Sequence, residues 1–174
     1  MNKEHKEVRN TMDMIKECFN ELKIPVLKEN VDKQGMGVVK TEMDDDSYQM
    51  FLEVACRPTD TNVDIKAGFS VAFTPNDDFG FCQIMNLING QLMDIGHFAV
   101  NLSTGEIFLQ TSLDISDKDS SQKQLIYTLV RLITQASSCF NMLLRVGNTD
   151  KCPLTALKAA ITEMLEKPTR ERKE

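Results

Sequence analysis

The sequence predicts an α+β fold in which about five antiparallel strands are flanked by an N-terminal helix, a short central helix, a long C-terminal helix and a final helix. Three observations predict it. Apolar residues recur with the helical period at both ends of the chain, they alternate with a period of two through the middle, and 174 residues suit one domain. We therefore expect a single domain over residues 1–174, with frayed tails at 1–6 and 168–174.

The first helix is predicted from about Lys3 to Lys23. Its apolar side chains follow steps of four, three, four and three residues, which places them on one helical face. They are Val8, Met12, Ile15, Phe19 and Leu22. Pro25 ends the helix, because proline lacks an N–H donor and pushes the preceding residue out of helical space. The polar residues 28–33 are predicted to be a connection.

Three strands are predicted next, where the apolar period falls to two. The first is a short strand over residues 37–43, followed by an acidic turn at 44–47. The second covers residues 48–56, and the third, over residues 63–73, has the clearest alternation. One face of these strands is apolar and the other is small or polar, so we expect a sheet that is covered on one side.

A short central helix is predicted after residues 74–78, which offer a capping side chain and carboxylates for the first turn. Ile84 and Ile88 lie on its apolar side, and Gly90 is predicted to end it. Residues 98–102 and 107–115 then alternate as the strands of a hairpin, and the three-residue loop 103–105 ends in glycine.

The last third of the chain is predicted to be helical. An apolar stripe extends from Leu125 to about Val146, and Ser121 can form a capping box with Gln124 at its start. Gly147 is predicted to end this long helix. A final helix is predicted to begin at Pro153 and to stop before the tail at 168–174.

Charge and cysteine spacing exclude several classes of function. The 20 Lys and Arg against 26 Asp and Glu give a formal net charge of −6, which disfavours nucleic acids and anionic membranes. The five cysteines are at least 13 residues apart, which fits neither a disulfide framework nor a zinc site. The first residues lack the apolar core of a signal peptide, and no apolar stretch reaches ~18 residues. We therefore expect a cytoplasmic protein.

The sequence contains no recognisable catalytic constellation. It has two histidines, His5 and His97, and it lacks the Walker A, GxSxG, GxGxxG and HExxH patterns. The run Asp44 to Asp46 offers carboxylates to a divalent cation, but the side chains of consecutive residues diverge, which favours a solvated turn. We predict a protein that is not an enzyme and that has no cofactor and no metal.

Ten methionines and no tryptophan form the clearest compositional bias. Methionine is flexible and polarizable, so an exposed group of methionines suits the binding of varied partners. Met12, Met50, Met85 and Met164 fall on predicted buried stripes, where packing alone explains them, whereas Met14, Met36, Met43 and Met93 fit such stripes less easily. The candidate contacts with a partner are Met36, Met43, Phe79, Phe81 and Met93.

The element order, together with residues 85–89 and 96–107, resembles the YbjN-like family of bacterial proteins. These segments read MNLIN and GHFAVNLSTGEI, and they precede and form the predicted hairpin. The resemblance covers roughly residues 8–146. It implies a fold like that of type III secretion chaperones, which are often dimeric, and a role as a sensory-transduction regulator. It supplies no catalytic residue.

Two hypotheses of different classes follow. The leading one is a non-enzymatic, protein-binding, chaperone-like adaptor or regulator that forms a homodimer through the long helix and takes a partner segment at a sheet edge or in a groove. The alternative is a sensory domain that holds a small ligand between the sheet and the helices. Its apolar pocket would be lined by Phe69, Phe73, Phe98 and Phe108, with His97 or Asn101 as the polar anchor. An enzyme of unknown class ranks third.

Overall fold

A computed structural model describes residues 3–45, 48–58, 60–69, 78–101 and 103–147, and, near the C-terminus, 155, 157–159 and 161–162. The elements are α1 (Lys3–Glu21), β1 (Lys28–Val31), β2 (Gly37–Asp45), β3 (Tyr48–Cys56), β4 (Asn62–Phe69), α2 (Asp78–Gln91), β5 (His97–Asn101), β6 (Glu106–Asp114) and α3 (Lys118–Gly147). The α+β architecture is confirmed. Helix α1 begins at Lys3, so its first turn overlaps the segment 1–6 that is expected to fray. The tail at 168–174 lies outside the described residues.

The strands form one antiparallel sheet of six strands in the order β1-β2-β3-β4-β6-β5. The prediction missed β1, because residues 28–33 were interpreted as a connection. This strand lies at an edge and three of its four residues are exposed, so its sequence carries no apolar alternation. Strand β4 pairs with β6, and β6 pairs with β5, which lies at the second edge of the sheet.

The helices pack on the apolar face of the sheet, which we call the inner face, and the two layers enclose one core. Helix α1 lies on β2, where Gly37 leaves room for the Met12 and Val8 side chains; a Cβ at Gly37 would come within 2.6 Å of the Met12 sulfur. Helix α3 is joined to β4 by Phe140, whose ring stacks on Phe69 with centroids 3.5 Å apart.

The ends of the helices differ from the predictions in two places. Helix α2 continues to Gln91, so Gly90 lies inside the helix and does not end it. Helix α3 begins at Lys118, because the side chain of Asp117 accepts a hydrogen bond from the backbone N–H of Asp119 at 3.2 Å. Ser121 lies within the helix, and its hydroxyl donates to the carbonyl of Asp117, so it is not the predicted cap.

Two predicted segments are described only in part. Strand β4 is described to Phe69, and its predicted continuation at 70–73 lies outside the described residues. Of the final helix, residues 155, 157–159 and 161–162 are helical, and Leu157 is buried.

The opposite face of the sheet, which we call the outer face, carries alternate residues of every strand. Except for Gly68, the outer-face residues whose exposure is described are partly or fully exposed. The inner-face residues of β3 and β4 whose exposure is described are, by contrast, at most 2% exposed. The sheet is therefore covered on one side, as the sequence predicts.

Candidate functional site

At one edge of the sheet, a side chain caps the backbone of Phe98 in β5. The Nδ2 of Asn89 donates to the carbonyl of Phe98 at 2.9 Å, and the backbone N–H of Phe98 donates to the Oδ1 of Asn89 at 2.7 Å. Asn89 lies on α2 and occupies the position that the backbone of a further strand would take. The backbone groups of Phe98 are thus satisfied without a neighbouring strand on that side.

The other edge, at β1, is open among the described residues. Strand β1 pairs with β2 on one side only, so the backbone groups of alternate β1 residues point away from the sheet without a strand partner. Two apolar residues, Val26 and Leu27, lie directly before this strand and are exposed, Leu27 by 61%. An unpaired strand edge beside exposed apolar side chains is the arrangement that accepts an added strand.

A hollow of about 540 Å³ separates α1 from β1. Helix α1 contributes Arg9, Met12 and Lys16 to its wall, and β1 contributes Glu29 and Val31. The Nζ of Lys16 lies 3.0 Å from a Glu29 carboxylate oxygen, which ties the helix to the edge strand. The wall therefore offers apolar surface flanked by charged groups.

Lys16 is the charged centre of this wall. It donates to Asp13 at 2.8 Å as well as to Glu29. The hydrogen bond to Asp13, followed by that to Glu29, raises the pKa of Lys16. Both carboxylates therefore stabilise the charged form of this ammonium group.

A second surface is the centre of the outer face. Gly68 lies directly between Phe51 of β3 and Phe108 of β6, and a Cβ at Gly68 would come within 2.4 Å of the Phe51 ring. Both rings therefore cover this glycine. The Nζ of Lys66 lies 3.8 Å from the centroid of the Phe108 ring and 5.4 Å from that of Phe51, so the ammonium group makes cation–π contacts with both.

A third surface is on α3. Tyr127 and Val130 are exposed, Tyr127 by 60%. Arg131, one turn after Tyr127, donates to its hydroxyl at 2.7 Å and forms an ion pair with Asp94 that joins α3 to the segment after α2. Two large apolar side chains thus face away from the core on the long helix.

The structure does not bring the predicted contact residues together. Phe81 is 3% exposed and lies in the core, which corrects its prediction as a direct contact: it belongs to the apolar face of α2. Met43 and Met93 are partly buried against the core. Met36 lies in the turn between β1 and β2 and lines a hollow of the outer face. The side chain of Phe79 lies outside the described residues.

The predicted ligand pocket is not formed by its four aromatic residues. Phe69 and Phe98 point to the inner face, where they are buried, whereas Phe108 lies on the outer face. The strand period of two separates them. His97 and Asn101, the expected anchors, also lie on the outer face, opposite to the core. Phe73 lies outside the described residues.

The cysteines form no catalytic arrangement in the described part of the chain. Burial raises the pKa of the Cys18 and Cys56 thiols to about 11 and raises that of Cys139, whereas Cys82 is exposed. Among the described residues no group of three or more His, Cys, Asp or Glu side chains is arranged to hold a metal. No helix in the described ranges has the length and apolar character needed to cross a membrane. The fifth cysteine, Cys152, lies outside the described residues.

Comparison with known proteins finds similarity at the level of structure only. No protein-family model matches the chain, and no curated protein matches it significantly. A chain in the crystal structure of the ExsC–ExsE complex is similar, with a TM-score of 0.57 and 16% sequence identity over 79% of this chain and 96% of that one. The Yersinia pestis type III secretion chaperone SycH, in complex with a stable fragment of YscM2, aligns with a TM-score of 0.44 and 16% identity over 71% of this chain and 94% of that one. The expected fold, like that of type III secretion chaperones, is confirmed.

Proposed function

We propose that this chain is a non-enzymatic, protein-binding module, a chaperone-like adaptor or regulator of the YbjN-like kind that acts in the cytoplasm. The observation that carries the proposal is the open β1 edge, with exposed Val26 and Leu27 beside it and the α1 hollow behind it. The two similar solved structures are both complexes of a protein with another protein or a fragment of one, which supports the same class of function.

A partner would bind by adding an extended segment to β1. Main-chain hydrogen bonds to the strand would supply affinity, and alternate side chains of the segment would enter the α1 hollow, which supplies specificity. Asn89 caps the β5 edge at Phe98, so among the described strands β1 is the less obstructed edge for an added strand. Met36, at the turn that follows β1, remains a candidate contact.

The same proposal includes a homodimer formed through α3. Tyr127 and Val130 supply exposed apolar surface on this helix, and Arg131 holds the Tyr127 ring through a hydrogen bond and a cation–π contact. An aromatic side chain that is already ordered loses little conformational entropy when a second copy packs against it. A dimer of this kind leaves β1, on the far edge of the sheet, free for the partner.

The first experiment is affinity capture of the tagged protein from its own host at physiological salt, followed by mass spectrometry. We expect one recurrent protein in stoichiometric amount. Its affinity is then measured by calorimetry for the unaltered chain, for Leu27→Lys and for the matched control Leu87→Lys, which places the same charge on another exposed leucine. Leu27→Lys should weaken binding at least ~10-fold, and the control should change it less than ~2-fold.

Hydrogen exchange then tests the mode of binding. With the captured partner bound, the backbone amides of β1 should become protected, and those of β5 should not change. Equal weakening by both leucine variants, or protection confined to β5, contradicts binding at β1. Repeated capture without any stoichiometric protein contradicts the proposed function as a whole.

A further inference from the structure

Asn89, which caps the β5 edge, is followed by Gly90 and is the only asparagine in the sequence that precedes a glycine. An asparagine is chemically least stable in this position, because glycine has no side chain to hinder attack of its backbone nitrogen on the preceding carboxamide. Both residues lie in the last turn of α2, which ends at Gln91. Gly90 is exposed, and nothing lies within 4 Å of the position that a Cβ would take there. Water therefore has access to the peptide bond between the two residues.

In the folded chain, both groups that would react are occupied. The Asn89 carboxamide holds the backbone of Phe98 through two hydrogen bonds, at 2.9 Å and 2.7 Å. The Gly90 nitrogen lies within α2, where each N–H donates to the carbonyl four residues earlier. Ring closure also requires the Asn89 backbone to leave the helical conformation. The reaction can therefore occur only after the end of α2 has opened.

The last turn of α2 has features that favour local opening. Glycine in a helix costs about 0.5–1 kcal/mol relative to alanine. Leu87 and Leu92, on either side of this turn, are 41% and 42% exposed, so they bury little apolar surface. Ile88, by contrast, is 0% exposed and anchors the turn to the core. The ends of helices open at a lower free energy than the whole domain, and the buried Ile88 side chain sets the cost of opening this one.

We propose that Asn89 is a modification site, at which deamidation during local opening of α2 removes the cap from the β5 edge. The Gly90 nitrogen attacks the Cγ of Asn89 and loses its proton. A C–N bond forms, the carboxamide nitrogen leaves as ammonia, and a cyclic succinimide remains. Water then adds to either ring carbonyl and breaks its C–N bond, which gives an aspartyl or an isoaspartyl residue. The reaction consumes one water and releases one ammonia, and nothing is oxidised or reduced.

Neither product can cap Phe98 as the amide does. The Nδ2 of Asn89 is the donor to the Phe98 carbonyl, and deamidation replaces it with an oxygen. An ionised carboxylate only accepts hydrogen bonds, so two acceptors would face each other. The isoaspartyl product also carries an extra methylene in the backbone, which disrupts the end of α2. The Phe98 backbone is then left for another strand. This inference concerns β5 and does not depend on a partner bound at β1.

The first test follows the reaction in the full chain at mildly alkaline pH. Peptide mapping by mass spectrometry measures the fraction of Asn89 converted with time, in the folded chain and in urea. The same measurement is made on Gly90→Ala, which places a methyl group beside the attacking nitrogen, and on Ile88→Ala and Ile65→Ala. Ile88 and Ile65 are both 0% exposed, but Ile88 lies on α2 and Ile65 on β4. Circular dichroism verifies that each variant is folded.

We expect Asn89 to be converted in the folded chain at least ~10-fold more slowly than in urea, because the helix must open first. Ile88→Ala should speed conversion at least ~10-fold, since it removes the side chain that anchors the turn, and Ile65→Ala should change it less than ~2-fold. Gly90→Ala should slow conversion in both states, because the methyl group hinders ring closure.

The second test examines the product. Deamidation adds one negative charge, so anion exchange separates the converted chain. Hydrogen exchange of the β5 amides and of the last turn of α2 should be faster in it than in the unconverted chain. Asn89→Asp is compared with Asn86→Asp, which adds the same charge to an exposed residue one turn earlier on α2. The Asn89 variant should unfold at the lower urea concentration.

The proposal is overturned if Asn89 is converted only in urea, if folded and unfolded chains react equally fast, or if Ile88→Ala and Ile65→Ala accelerate the reaction equally. Unchanged hydrogen exchange in the converted chain, or equal urea midpoints of the two aspartate variants, would overturn the loss of the cap. None of these results affects the proposed function, because a captured partner whose affinity depends on Leu27 would still bind at β1. Conversely, a failed capture leaves the conversion of Asn89 to be decided by its own controls.

Discussion

The closure of the β5 edge by Asn89 gives the sharpest prediction for stability. The substitution Asn89→Leu keeps a similar volume and removes both hydrogen bonds to Phe98, at 2.9 Å and 2.7 Å. Each such bond contributes about 0.5–1.5 kcal/mol, and the Phe98 backbone groups would lose their partners on a residue that is 3% exposed. We expect the free energy of unfolding to fall by about 2–3 kcal/mol.

The measurement is urea unfolding followed by circular dichroism, with Asn86→Leu as the control. Asn86 lies one turn earlier on α2 and is exposed, so its replacement should change the free energy of unfolding by less than ~0.5 kcal/mol. For a chain of this size, the Asn89 variant should also melt about 4–12 °C lower. Hydrogen exchange at the Phe98 amide should become faster. If Asn89→Leu is no more destabilising than Asn86→Leu, the side chain does not stabilise this edge.

Three further outcomes are expected. Gly68→Ala should lower the free energy of unfolding, measured in urea, by about 1–3 kcal/mol, because the new Cβ meets a phenylalanine ring at 2.4 Å. Gly90→Ala should raise it by about 0.5–1 kcal/mol, because nothing lies within 4 Å of the new Cβ. The opposite order of stabilities would contradict the packing described. Light scattering at micromolar concentration should give a dimer of the 19.7 kDa chain, and Tyr127→Glu should give a monomer; a monomeric unaltered chain would contradict the dimer through α3. Burial raises the pKa of the Cys56 thiol from 9.0 to about 11. The contribution of the protonated thiol to the free energy of unfolding is therefore complete below pH 9.0 and is lost as the pH rises toward about 11. Urea midpoints over this pH range should therefore fall less steeply for Cys56→Ala than for Cys82→Ala, and parallel slopes would contradict a buried protonated thiol.

The sequence predicts the central elements well because their residues are half-buried or amphipathic. Strand β3 alternates between apolar and polar residues, and α1 keeps an apolar stripe, so the period alone identifies both. Strand β1 was missed because an edge strand of exposed residues has no such pattern. The start of α3 was predicted too late in the sequence, because Ser121 is of a residue type that caps helices, whereas the side chain of Asp117 is the actual cap.

The candidate site was less predictable, since it depends on strand register. Phe69 and Phe108 look equivalent in the sequence, but the register places them on opposite faces of the sheet. Lys28 and His97 are far apart along the chain and belong to one row only because five successive strand pairings align them. The composition indicated methionines as contacts with a partner, whereas the fold exposes the β1 edge of the sheet and its polar outer face.

The difference between the two edges of the sheet also limits what can be built from this chain. A protein with two open edges can pair head to tail with its own copies, and such pairing continues into an open-ended filament. Here the Asn89 carboxamide obstructs the β5 edge at Phe98, whereas the β1 edge has no such cap among the described residues. Strand pairing between copies of this chain through β1 would therefore join like edges, and such a pair is closed and does not continue into a filament.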